Sequence, residues 1–103
     1  MSYSIEQFQK DIEEVITVCH EEIEAIKLGE QREATVRQIE QFIIPEMEKL
    51  LHFISIGTIP EPGDRYLMTV QAILKSWSWD INKDEQLVNL LGCLDTNYQR
   101  STF

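Results

Sequence analysis

Positive charge is scarce in this chain: nine lysines and arginines stand against eighteen aspartates and glutamates, for a net charge of −9. Such a surface repels phosphate backbones and anionic lipid headgroups, so neither nucleic-acid nor membrane binding is expected. Cysteine is scarce as well. Cys19 and Cys93 are too few and too far apart for a disulfide framework or a zinc site with paired ligands. Both are expected as free thiols in a reducing compartment. No apolar run approaches the ~18–20 residues that span a bilayer. The opening MSYSIEQFQKD lacks the basic and apolar segments of a signal peptide, and the expected location is the cytoplasm.

Chain breakers are few and concentrated. Two of the three prolines and two of the four glycines fall within GTIPEPGD, residues 57–64, the one clear loop. What surrounds it is helical in period. Ser4-Ile-Glu-Gln7 has the form of a capping box, Ser4 accepting from the backbone and Gln7 reaching back. Ile5, Phe8, Ile12, Val15, Ile16, Cys19, Ile23 and Ile26 then recur at intervals of three and four, one apolar stripe ending at Gly29. A second helix is expected from about Glu30–Glu33, with Val36, Ile39, Ile43, Met47, Leu50, Leu51 and Ile54 on its face and Gly57 as its stop. Pro45 removes one N–H and crowds the carbonyl of Gln41, so this helix should kink there. The short link around Gly29 makes the first two helices an antiparallel hairpin.

Asp64 is placed to cap a third helix with Tyr66, Leu67, Val70, Ile73, Leu74 and Trp77 on its face. Asp80 or Asn82 is placed to cap a fourth, lined by Leu87, Leu90, Leu91, Leu94 and Tyr98 and followed by a ragged QRSTF tail. No strand pattern occurs. The expected fold is all-α, a single domain over residues 1–103: an antiparallel four-helix bundle with two long helices, the second kinked, and two shorter ones. A core this thin would gain from dimerisation.

The stretch KSWSWDINKDE, residues 75–85, invites a calcium reading through Asp80, Asn82 and Asp84. A calcium loop also needs glycine at its sixth position and glutamate at its twelfth. Those places hold Glu85 and Leu91, and calcium is rejected. Trp77 continues the third helix's face and is assigned to the core. Trp79 is read as a plug at the bundle end, with Trp79 and Asp80 also candidates for touching a partner.

Other chemistries lack their parts. His20 with Glu24, and Glu48 with His52, sit one turn apart, yet neither histidine has an acid three residues before it, and both point away from the apolar stripe. No metal, cofactor or catalytic set is assigned. What stands out is the outer side of helix one, where Glu6, Glu13, Glu14, Glu21 and Glu24 lie opposite the stripe with Lys10 the only base among them. Glu13, Glu14, Glu21 and Glu24 are the partner-binding candidates, suited to a basic protein surface. Phe42 and Phe53, a quarter-turn off the main face of helix two, form a second candidate surface.

In size, acidity and helicity over its whole length, the chain resembles the small bacterial immunity proteins that neutralise toxins. That resemblance implies a non-enzymatic module that binds a toxin domain, its acidic ridge facing a basic active site. Two other expectations remain open: a structural homo-oligomer, and a small enzyme with its site in the bundle interior.

Overall fold

Four helices account for most of the chain in a computed structural model that describes residues 3–103. Helix α1 is Ile5–Lys27, α2 spans residues 36–56, α3 is Met68–Lys75 and α4 is Gln86–Arg100. Among the described residues there is no strand, and no helix is long and apolar enough to cross a membrane. The molecule measures 40 × 24 × 23 Å, its long dimension close to the ~34 Å that a helix of α1's length requires.

The apolar stripe of α1 sets the architecture. Phe8, Ile12, Val15, Cys19 and Ile23 are buried as their spacing predicts, and Val18 joins them. Such a stripe wants cover on both flanks, and α1 packs against α2 on one side and α4 on the other. Ile39, Ile43, Met47 and Leu50 enter from α2, and Leu87, Leu91, Leu94 and Tyr98 from α4. Each of these large side chains removed from water contributes about 1.5–3 kcal/mol before chain entropy is counted. Ile5, expected inside, is 37% exposed, although Phe8 one turn on is fully covered.

Where a helix begins differs more than whether it exists. Ser4 caps α1 by accepting the Gln7 N–H at 3.1 Å. The Gln7 side chain, however, turns forward to Asp11 at 2.7 Å and does not close the box. The complete capping box belongs to α2. Thr35 accepts from Gln38 N and Gln38 Oε1 accepts from Thr35 N, both at 3.1 Å. The second helix therefore starts at Val36, later than expected, and residues 28–35 form the connection. Its stop is as read: Gly57 adopts a left-handed φ of 70°.

Pro45 disturbs α2 without breaking it. The turn ahead of the proline, Ile39–Ile43, widens to a π-helical one, in which the Ile44 N–H reaches back five residues to the Ile39 carbonyl. Widening relieves the clash that the ring would impose on a regular turn, and the helix resumes as Ile44–Ile56.

Helix α3 departs furthest from expectation. Asp64 does not cap it, for Pro62–Asp64 is a turn of 3₁₀ helix and α3 begins four residues later. Its cap comes from outside. The carboxylate of Glu46 on α2 accepts the N–H groups of Met68 at 2.5 Å and Thr69 at 2.8 Å. Asp95 on α4 accepts that of Leu67 at 2.8 Å. These distant acids fix the helix in an orientation that buries Leu67, Thr69 and Ile73 and leaves Tyr66 and Leu74 exposed. The tail is not ragged either. Ser101 is buried, its carbonyl and hydroxyl accepting from Arg65 at 3.3 and 3.0 Å. Phe103 packs against Phe8, with the Arg65 guanidinium 5.0 Å above its ring.

Candidate functional site

Two surfaces are candidates for a functional site, and a clasp between loops engages several of the remaining acids. The clasp joins residues 28–35 to the segment after α3. Helix α3 ends at Lys75, two residues before Trp77, so the helical wheel no longer governs the tryptophans. Ser78 takes a left-handed φ of 54° and turns the chain back. That turn sends Trp79 inward to 7% exposure, its indole N–H donating to Gln38 Oε1 at 3.2 Å. Trp77, assigned to the core, is only half-buried, with Phe42 edge-on to its ring at 5.5 Å. The plug role of Trp79 is the one the geometry shows, and its burial withdraws it from the partner-binding set.

Asp80 is exposed, and its carboxylate accepts the Asn82 N–H at 3.0 Å, a turn within the loop. Neither residue caps α4, which starts at Gln86 after Glu85. Glu85 instead accepts the Glu33 N–H at 3.2 Å, while the Glu33 carboxylate receives Lys83 at 2.7 Å. The Lys83 ammonium holds the Glu33 carboxyl below its usual range, and the pairing raises Lys83 in turn. Glu22 is likewise engaged, by Arg32 at 2.8 Å.

The ridge of α1 is different. Glu6, Glu13, Glu14, Glu21 and Glu24 are all exposed. Among the described residues none of them enters an ion pair. Glu46 and Asp95 cap a helix, Glu33 and Glu85 clasp a loop and Glu22 meets an arginine, whereas the ridge acids, like Glu40 and Glu48 on α2, face solvent. His20 is exposed beside them, as are Glu48 and His52 on α2. No three potential metal-ligating side chains converge among the described residues.

The second surface is a two-lobed cleft between α2 and α3. One lobe, of about 320 Å³, is apolar: Phe42, Pro45, Met68 and Ala72 line it, with Phe42 58% and Met68 62% exposed. The other, of about 250 Å³, mixes polar groups with Leu50 and Phe53 and has Glu46, Lys49 and Met68 in common with the first. The residues with polar side chains along it are Glu46, Lys49, Asp64, Tyr66 and Tyr98. From α2 the lining comes from positions 42, 45, 46, 49, 50 and 53, a helical stripe beside the core stripe. Phe42 and Phe53 mark its ends and were legible as a surface; Glu46 and Tyr98 were not, because nothing local in sequence signals a partner twenty or fifty residues away.

Thiol chemistry divides cleanly. Cys19 is buried, and its burial pushes the thiol up to about 12, whereas Cys93 is exposed on α4. Comparison with protein-family models, curated proteins and solved structures yields no match to this chain.

Proposed function

We propose that this chain is a cytoplasmic, non-enzymatic protein-binding module of immunity or inhibitor type that presents the acidic face of α1 to a basic protein partner. One observation carries the reading: Glu13, Glu14, Glu21 and Glu24 stand exposed and without ion pairs on the helix that forms the centre of the core. A central helix is the most rigid platform in the molecule, and a fixed row of like charge raises the encounter rate with a basic surface. Asp80 is exposed on the far loop and stays a candidate for the rim of the same interface.

The test is charge reversal. Glu14→Lys with Glu21→Lys should leave the helical spectrum and melting temperature close to the parent's, since both side chains are exposed. The association rate with a partner isolated on the parent protein should fall at least tenfold at low salt, and the difference should shrink as salt rises. Equal rates for the parent and the reversed protein would remove the ridge from the interface.

A second reading, a homo-oligomer, is favoured by the exposure of Phe42, Met68 and Leu74 along α2 and α3. It requires a melting temperature that rises with protein concentration. A monomer unchanged across the micromolar range would end it.

A further inference from the structure

We infer that the α2–α3 cleft is where a second copy of this chain docks, the two α2 helices lying antiparallel across a two-fold axis near Met47 and Glu48. The inference deepens the homo-oligomer reading and rests on it. Its starting point is the order of side chains along the cleft. Phe42, Glu46, Lys49 and Phe53 follow one another along the lining face of α2, at steps of four, three and four residues. That is the seam spacing of paired helices. Taken in the opposite direction, the row runs aromatic, base, acid, aromatic. Laid against its own reverse, it sets Phe42 beside the partner's Phe53 and Glu46 beside the partner's Lys49, because both pairs share one midpoint in the chain. A two-fold contact requires this self-complementarity, since one patch must meet itself.

Each member of the row is free to make its contact. Phe42 is 58% exposed, and Met68 across the cleft is 62% exposed. Lys49 is exposed, its ammonium 5.6 Å over the Phe53 ring of its own helix. Glu46 caps α3 with one backbone N–H on each oxygen, and each oxygen keeps a second lone pair for the partner's Lys49. The two lobes, of about 320 and 250 Å³, have Glu46 and Lys49 in common, with Phe42 in one and Phe53 in the other. The partner's Phe53 thus enters beside Phe42, and the partner's Phe42 beside Phe53.

Charge permits the pairing on this face. Two chains of net charge −9 repel one another. Here, however, Glu46, Asp64 and the exposed Glu48 stand among Lys49, Lys75 and Arg65, the last buried and donating to the Pro60 carbonyl. Three acids meet three bases, whereas the α1 ridge sets five acids beside Lys10 alone. From Phe42 to Phe53 is about 16 Å at 1.5 Å per residue. A contact of that length sits at the small end of specific interfaces, where complexes are transient, and the dissociation constant should be on the order of 10 µM.

Spin labels test the register. Glu40→Cys, Glu48→Cys and Ser55→Cys, each made with Cys93→Ser, place one label at a time on an exposed position of α2. Antiparallel copies separate along the axis by about 3 Å for every residue from the two-fold. The distance between copies should therefore be shortest at 48 and longer, by nearly equal amounts, at 40 and 55. Lys49→Glu sets like charges across the axis and should raise the dissociation constant at least tenfold in sedimentation equilibrium, as should Phe42→Ser. Both positions are exposed, so the diluted variants should melt close to the parent. A chain monomeric to about 1 mM would end the homo-oligomer reading and this inference together. A dimer whose shortest distance falls at 40 or 55, or whose affinity survives Lys49→Glu, would keep that reading and overturn the pairing along α2. Cleft amides that shift on adding a foreign protein or small molecule, but not on concentrating the chain, would give the face to that occupant and overturn it too.

Discussion

Thr69, in the first turn of α3, donates its backbone N–H to Glu46 Oε1 at 2.8 Å, across a sequence separation of 23 residues. A carboxylate at a helix N-terminus satisfies orphan donors and meets the positive end of the dipole. Here it also docks one helix on another. Glu46→Ala should lower the unfolding free energy by about 1–2 kcal/mol, the usual cost of a lost cap. It should also speed exchange of the Met68 and Thr69 amides before those of α1, which hydrogen-exchange NMR would resolve. If α3 kept its protection, the capping would be incidental.

The Glu33–Lys83 pair predicts a pH dependence whose sign is fixed by the directions of shift. A carboxyl held below its ordinary 4.5 adds stability above that value and loses it as pH falls through the lower folded value. A raised lysine adds stability below 10.5 and loses it as pH climbs through the folded value. Lys83→Met should therefore flatten both limbs of a melting-temperature profile relative to the parent, while changing the neutral plateau only slightly. A variant profile parallel to the parent's at acid pH would separate the pair from stability.

Cys19 and Cys93 should differ in reactivity. At neutral pH a thiol-disulfide reagent should titrate one thiol quickly and the second only on unfolding, because a thiol pushed up to about 12 offers almost no thiolate and no access. Above pH 9.0, where the unfolded thiol ionises and the folded one does not, stability should decline. Cys19→Val should remove that decline. Two thiols reacting at equal rates in the folded protein would contradict the burial.

Gln38 predicts a coupled loss. Its Oε1 accepts from both Thr35 N and Trp79 Nε1. Gln38→Ala should thus cost about 1–2 kcal/mol and redden tryptophan emission in the native state. Loss of stability without a spectral change would show that Trp79 packs without its bond.

Much of the fold was legible because periodicity is a local signal. The stripes of α1 and α4 and the stop at Gly57 follow from spacing and one left-handed glycine, and each is found. The start of α2 was legible in principle, since Thr35-x-x-Gln38 is a capping-box pattern. What escaped is tertiary. Asp64 looked like a cap by proximity, yet Glu46 and Asp95 do the capping from other helices. Trp79 could not be placed by a helical wheel once the helix had ended and Ser78 had reversed the chain. Of the candidate surfaces, the α1 ridge follows from spacing alone, while Tyr98 comes to line the cleft only through the packing of three elements.

The widened turn at Ile39–Ile43 divides α2 into two differently phased rotors. A turn of about 4.4 residues in place of 3.6 sets the upstream half back by roughly a quarter revolution relative to the downstream half. Phe42 sits within the widened turn and Phe53 on the regular helix beyond it, at the two ends of the stripe that lines the cleft. Trimming one residue from that turn would swing the entire amino-terminal segment, Gln38 included, away from the tryptophan it steadies.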